Sequence, residues 1–389
     1  MTVEAGGREW DVAAQLEGLR GADLWRRLRP VRGLAAGRLE REGRELVDFS
    51  SNDYLGLASS AELAAALAEG AAKYGAGAGA SRLISGTRAA HEALEEALAV
   101  WKGTEAALTF GSGYAVALGG IPALVGRGDT ILLDKLCHAS LVDAARLSGA
   151  TLRVFPHNGL EKLERLLAGA KGRVLVVTES VFSMDGDRAL LREIVEMKER
   201  AGAWLWLDEA HAVGVMGPRG TGLAGELGLS ERVDLQMGTL SKAAGLGGGY
   251  LAARREVVDL LINRARSLIY STAPPPALAH AAVVALELLA GAEGEARRER
   301  LWSRVRQLGQ VLEMPEPASA IVPVMLGESA RALALSARLE EAGCLVPAIR
   351  YPTVARGAAR LRITLSASHE AGQVEVLAAN LRRAQAELG

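Results

Sequence analysis

The sequence predicts an α/β protein: a mostly parallel sheet covered by helices on both faces, followed by a smaller C-terminal α/β domain. Three observations carry that reading. Short apolar runs alternate with helix-periodic segments through the middle of the chain, the pattern of parallel strands joined by crossover helices. The triplet Pro274-Pro275-Pro276 then breaks the pattern, and longer helices follow. At 389 residues, with 49% hydrophobic and 23% charged residues, the chain is long enough for more than one domain around a sizeable core.

In chain order, the first ~45 residues read as a helical, Arg-rich segment, placed at 1–47, that packs on a domain or a partner subunit. Thr87 is the candidate cap of a helix through Trp101, with Leu94, Leu98 and Trp101 along one stripe. The candidate strands are Ala106–Phe110, Thr130–Asp134, Thr151–Phe155, Arg173–Thr178, Trp204–Asp208, Asp234–Gly238 and Gly249–Ala252. Leu160–Leu167 and Leu190–Arg200 are the clearest helices between them. These elements define a large domain over 48–273. From 274 to 389 the expectation is helices at Ala277–Leu289 and Glu295–Leu312, a strand at Ala320–Leu326 and a helix at Ala330–Ala342. A strand at Ala359–Leu365 and a terminal helix complete it.

The net charge of -1 gives no reason to expect nucleic acid or an acidic membrane surface as partner. Met1 to Arg29 has no apolar core of a signal peptide, and the stretch Ala277 to Ala290 is too short to span a bilayer. Cys137 and Cys344 cannot form a disulfide framework, so a reducing cytoplasm is the expected location. The six histidines show no metal-ligand spacing, and no metal is expected.

The chemistry-bearing residues fall at the ends of the candidate strands. In Trp204-Leu-Trp-Leu-Asp208-Glu-Ala-His211, Asp208 and His211 lie at the C-terminal edge of a parallel sheet, where open α/β sheets bind ligands. An aspartate there can keep a pyridine nitrogen protonated. The plainer reading, an aspartate capping the next turn and a satisfied core histidine, stays open on these residues alone. Lys242 follows Thr239 and Ser241 and precedes a glycine-rich stretch, where backbone can approach a ligand closely. Only seven of the 45 basic residues are lysines, so a lysine kept here favours amine chemistry that a guanidinium cannot perform. A flexible loop with one solvated lysine is the rival. Gly111-Ser112-Gly113-Tyr114 opens an apolar helix after a strand, a turn suited to phosphate. His138 reaches the same edge and can stack on a planar ring. Gly75-Ala-Gly-Ala-Gly79 imitates a dinucleotide fingerprint but lacks the strand that must precede one.

The runs Ser50-Ser-Asn52-Asp53-Tyr54-Leu-Gly56, Thr178-Glu179-Ser-Val-Phe-Ser183-Met-Asp-Gly186-Asp187, Asp208-Glu-Ala-His211 and Thr239-Leu-Ser-Lys242 resemble the α-oxoamine synthases. The resemblance runs from about Leu19 to the C-terminus. It implies a fold-type I pyridoxal 5'-phosphate enzyme, a homodimer, that joins an amino acid to an acyl thioester. Within the family it points to the branch of biotin synthesis that uses L-alanine and a pimeloyl group on CoA or acyl-carrier protein. The resemblance makes Lys242 the Schiff-base lysine, Asp208 the partner of the pyridine nitrogen, His138 the stacking ring and His211 the partner of the phenolic oxygen. Gly113, Tyr114, Ser183 and Thr239 fall at cofactor positions, and Ser271 and Thr272 at phosphate contacts given by the other subunit. Asn52 and Arg362 fall on the amino-acid side, with Arg362 at its carboxylate; Arg26 and Thr353 fall near the acyl substrate. Ala117 stands where relatives often have asparagine. Three rivals remain: the family branch that joins glycine to acetyl-CoA, an aminotransferase on the same fold, and a binding module without a cofactor.

Overall fold

Leu205, Trp206 and Leu207 are all fully buried, yet Leu205 and Leu207 join one hydrophobic cluster and Trp206 the other. A strand covered on both faces places successive side chains in opposite cores, so its sequence is a continuous apolar run rather than an alternating one. Val176 against Leu175 and Val177, and Leu132 against Ile131 and Leu133, divide in the same way. In this computed structural model, which describes residues 10–22 and 24–388, these runs form a seven-stranded sheet. Its order is Ala106–Phe110, Gly249–Ala253, Leu235–Thr239, Trp204–Asp208, Val174–Glu179, Thr130–Asp134, Thr151–Phe155.

Five adjacent strands of that sheet run parallel, from Leu235–Thr239 to Thr151–Phe155. Gly249–Ala253 is antiparallel to both of its neighbours. Every candidate strand is present within one or two residues. The parallel register matters most for function, because it pairs Glu179 with Asp208 and Asp208 with Met237, setting those strand ends side by side.

Glycine lets the helix Gly113–Leu124 lie close on the sheet. A Cβ on Gly120 would come within 2.6 Å of the Trp206 ring, and one on Gly249 within 2.6 Å of the Gly113 backbone. The second close approach brings the start of that helix against the sheet edge.

Beyond Pro276 the helices Pro276–Ala290 and Ala292–Val311 precede a three-stranded antiparallel sheet, in the order Ile321–Gly327, Ala359–Thr364, Ala348–Ile349. Ser329–Glu341 and the terminal helix Ala371–Leu388 pack against each other. Among the described residues no single helix is long and apolar enough to cross a membrane.

Two local expectations are corrected. The segment expected to be helical over its first ~45 residues is helical only at Val12–Gly21 among the described residues. Arg32–Gly33, Arg38–Arg41 and Arg44–Asp48 form strands, and Cys344–Leu345 adds to the last of these in parallel. The cause is a two-residue turn at Glu42-Gly43, both with positive φ, which folds a hairpin that buries Leu39 against Leu46. Thr87 is not the cap of the helix Ala89–Lys102. Its hydroxyl donates to the Arg82 carbonyl, and the His91 ring accepts the Arg88 N–H at the helix start. The stripe Leu94, Leu98 and Trp101 is buried as expected.

Lys102, at the end of that helix, fixes the turn after Asp208. Its ammonium donates to Glu209 at 2.5 Å and to the Thr221 carbonyl, and neither charged side chain reaches solvent. Glu209 also accepts the Ala224 N–H. Breaking a buried pair leaves an uncompensated charge, so Lys102→Met is expected to lower stability by about 3–5 kcal/mol in chemical denaturation. Adding Glu209→Leu should recover much of that loss. A cost for Lys102→Met within the range of a surface pair, about 1 kcal/mol or less, would contradict this role.

Candidate active site

The parallel strands deliver Glu179, Asp208 and Thr239 to one edge, and a cavity of about 220 Å³ opens there. That is slightly below the usual range for a drug-sized ligand. Gly113, Tyr114, His138, Asp208, His211, Thr239 and Lys242 line it, so seven of the candidate residues share one cavity. Glu179, Ser112, Ser140, Met237 and Ser241 also line it. A larger cleft of about 570 Å³ lies elsewhere, beside Leu83, Glu92 and Arg255, with Arg82 already paired to Glu95. It contains none of the candidate site residues.

Lys242 decides the chemistry of the cavity. Burial pushes its amine down to about 8, against the pull of Asp208 and Glu179, which favours the charged form. Lys102 and Lys198 are buried where Lys242 is half-buried, and each touches a carboxylate, at 2.5 and 2.8 Å. Lys242 Nζ instead lies 2.8 Å from His211 Nε2.

The hydrogen bonds define a donor chain. As an ammonium Lys242 only donates, and in that state His211 Nε2 accepts and its hydrogen sits on Nδ1. Nδ1 then donates to the Tyr54 hydroxyl at 2.5 Å, and that hydroxyl donates to Asn52 Oδ1 at 3.3 Å. Arg362 Nη2 donates to the same Asn52 oxygen at 3.1 Å. Burial, then the neighbouring cations, hold His211 well below its ordinary range, so it is neutral. Burial pushes the Tyr54 hydroxyl up to about 12.

Arg362 is buried, with its Nε donating to the Ser183 carbonyl at 2.6 Å and Nη1 to Thr364 at 2.8 Å. These bonds connect Asn52, Ser183 and Arg362 to the cavity's edge through one network. His157 holds the loop that carries Ser183 by bridging Asp134 and Asp187, at 3.2 and 2.6 Å. Burial works against its charge, but those two carboxylates outweigh it and push His157 up to about 10.

The remaining candidates lie apart from the cavity wall. Arg26 Nη2 lies 3.5 Å from Thr353 Oγ1, joining positions 327 apart in sequence on an exposed surface. Ser271 and Thr272 are exposed, and Thr272 bridges to Ser81. Ala117 is fully buried among apolar neighbours. Among the described residues no cluster of three His, Cys, Asp or Glu is arranged to hold a metal ion.

Two residues carried no assigned role in the sequence reading. Tyr54 completes the donor chain, and Glu179 ends its strand in register with Asp208. The signal for Glu179 was present: an acidic residue closes the apolar run Val174–Val177 just as Asp208 closes Leu205–Leu207.

Residues 44–381 match the family described as aminotransferase class I and II. The chain belongs to that family. Within it the chain groups with the α-oxoamine synthases, as the sequence motifs imply. It is 48% identical to 8-amino-7-oxononanoate synthase of Geobacter sulfurreducens, over 97% of this chain and 98% of that one. Among solved structures it is similar to serine palmitoyltransferase from S. paucimobilis with bound PLP–myriocin aldimine: TM-score 0.91, 29% identity, 97% of both chains covered. It is also similar to 8-amino-7-oxononanoate synthase from Francisella tularensis, with TM-score 0.77 and 27% identity over 88% of this chain and 99% of that one.

An amine whose proton affinity is lowered is neutral, and nucleophilic, over more of the pH range. Lys242 should therefore react with an amine-directed reagent at a rate that rises with pH and levels off above about 8. Peptide mapping of the protein labelled without cofactor checks this. A half-point near the ordinary lysine value of about 10.4 would contradict the arrangement.

Proposed function

We propose that the chain is a pyridoxal 5'-phosphate-dependent acyltransferase that condenses L-alanine with a pimeloyl thioester to give 8-amino-7-oxononanoate, carbon dioxide and the free thiol. The observation that carries the reading is the half-buried Lys242 amine that shares the cavity with Asp208, in a chain 48% identical over nearly its whole length to a relative of that name. The residues fit the cofactor: an amine for an aldehyde, a buried carboxylate for a ring nitrogen, a flat imidazole, and hydroxyls at a helix N-terminus for a phosphate. Bound there, pyridoxal phosphate supplies an aldehyde that condenses with amines and a ring that withdraws electrons from the carbon beside that nitrogen.

The protein's own groups do the rest. Lys242 Nζ would hold the cofactor and is the group to take a proton from the amino acid's α-carbon, a task for which its lowered proton affinity suits it. The Asp208 carboxylate would keep a proton on the ring nitrogen, His138 would hold the ring and His211 would pair with the phenolic oxygen; all three line the cavity. Thr239 and the first turn of the helix Gly113–Leu124, with Gly113 and Tyr114, bind the phosphate, and Ser183 adds a cofactor contact. Arg362, held by Asn52 and the Ser183 carbonyl, binds the amino acid's carboxylate. Arg26 and Thr353 receive the acyl chain or its carrier, CoA or acyl-carrier protein.

A second copy of the chain completes the site in this reading. Ile84 is 81% exposed and Tyr270 72% exposed, flanking the segment where Ser81 bridges Thr272. In a cytoplasmic homodimer that apolar surface is covered, and Ser271 and Thr272 reach the partner's phosphate.

Two measurements test the reading. L-Alanine with a pimeloyl thioester should exceed glycine with acetyl-CoA in kcat/KM by roughly a hundredfold or more, since the pimeloyl group alone has a far carboxylate for Arg26. Arg26→Ala should raise KM for the pimeloyl donor roughly ten- to a hundredfold, the worth of one charge-assisted contact. Preference for glycine and acetyl-CoA would overturn the substrate assignment. Asp208→Ala should slow α-proton exchange from L-alanine by about a hundredfold or more, because a charge that develops during proton loss is left without its partner. An unchanged exchange rate would remove Asp208 from its role.

A further inference from the structure

Glu179 and Asp208 are the paired end residues of adjacent parallel strands, roughly 4.8 Å apart between backbones, and both side chains line the cavity and are buried. In a parallel pair, residues in register project to the same face. Glu179 Oε1 accepts the His138 backbone N–H at 2.5 Å, which fixes its carboxyl beneath the residue that begins the helix Ala139–Leu147. Asp208 accepts the Ala210 N–H at 2.9 Å. Two carboxylates this close in a buried site cannot both ionise without a large penalty.

We propose that Glu179 is a positioning residue that stays protonated, leaving a single negative charge on Asp208 and acting as a reserve anion when that charge is lost. The inference rests on the cofactor reading above, since Asp208 is there the partner of the ring nitrogen.

The surroundings divide the two carboxyls unequally. Glu179 faces Asp208, Asp134 and the Cys137 thiol as anionic or potentially anionic neighbours, with Lys242 as the nearby cation and the His138 amide as donor. Burial, then the charge of Asp208, pushes it well above the ordinary carboxylate range. Asp208 is also raised by burial, but Lys242, the Ala210 amide and His138 pull it back. The proton therefore belongs on Glu179, and the charge on Asp208.

Two consequences separate this role from simple packing. With Asp208 charged, Glu179→Gln exchanges one neutral hydrogen-bonding group for another. In an Asp208→Asn background Glu179 loses its anionic neighbour and can ionise, which glutamine cannot do. Glu179→Gln should therefore cost at least about tenfold more pyridoxal phosphate affinity in the Asp208→Asn protein than alone, read as dissociation constants by fluorescence. Equal costs in the two backgrounds would overturn the proposal.

The second consequence needs no cofactor. A carboxyl raised in the folded state keeps its proton while the unfolded chain loses it, so stability falls as pH rises above the ordinary carboxylate range. Glutamine is free of that loss. The melting temperature of cofactor-free Glu179→Gln should rise relative to wild type between pH 5 and 8. A difference that is flat or falls with pH would also overturn the proposal. If wild-type protein binds no pyridoxal phosphate the cofactor reading fails, while the melting comparison still decides the state of Glu179.

Discussion

The site depends on a half-buried lysine amine that lines the cavity without a direct carboxylate partner. Burying an ammonium is costly unless a counter-charge touches it, and Lys102 and Lys198 meet that cost with carboxylates at 2.5 and 2.8 Å. Lys242 is held by a neutral imidazole at 2.8 Å and through space by the charge on Asp208. Its amine consequently exchanges its proton at about 8, which suits the double role of nucleophile and base proposed for it. The surrounding bonds preserve that state, because the donor chain through His211, Tyr54 and Asn52 uses the imidazole's acceptor nitrogen for the amine.

The sheet edge makes this arrangement possible. Strands buried on both faces carry few polar side chains within the layers, Gln236 and Thr178 among them, so charged groups collect where the strands stop. Glu179, Asp208 and Thr239 are the last residues of three adjacent strands, and Lys242 follows the third directly. Glycines at Gly249 and Gly120 bring the helix Gly113–Leu124 close enough for its first turn to form the opposite wall. Lys102 and Glu209 secure the turn between Asp208 and His211 from behind.

Much of this was legible in the sequence. Seven runs of strand length, with helical spacing between them, located the sheet, because two-sided burial leaves an unbroken apolar signature in all but the exposed edge strand Thr151–Phe155. Asp208, His211, Thr239 and Lys242 were visible because each follows such a run. The N-terminal hairpin was not, because Arg38 and Glu45, or Arg32 and Glu40, pair across short exposed strands whose composition resembles a charged helix. The cap at Thr87 failed because Arg82 competes for its hydroxyl. Glu179 escaped notice because its significance lies in register with Asp208, which no single strand reveals. The pairing of Arg26 with Thr353 depends likewise on contact across 327 positions. Substrate choice is the property the fold fixes least. The superposition is closer on serine palmitoyltransferase than on the Francisella tularensis 8-amino-7-oxononanoate synthase, while sequence identity is higher with the Geobacter sulfurreducens 8-amino-7-oxononanoate synthase. A shared scaffold carries several acyl and amino-acid choices, and a few side chains at the cavity mouth select among them.

The central claim is that Lys242 forms the covalent link to the cofactor. Borohydride reduction of the protein with pyridoxal phosphate, followed by peptide mapping, tests it directly, because reduction fixes the cofactor to whichever lysine carries it. The account expects one label per chain, on the peptide that contains Lys242, and none on the ion-paired Lys102 or Lys198. A label found mainly on another lysine, or no label with a protein that binds the cofactor tightly, would contradict it.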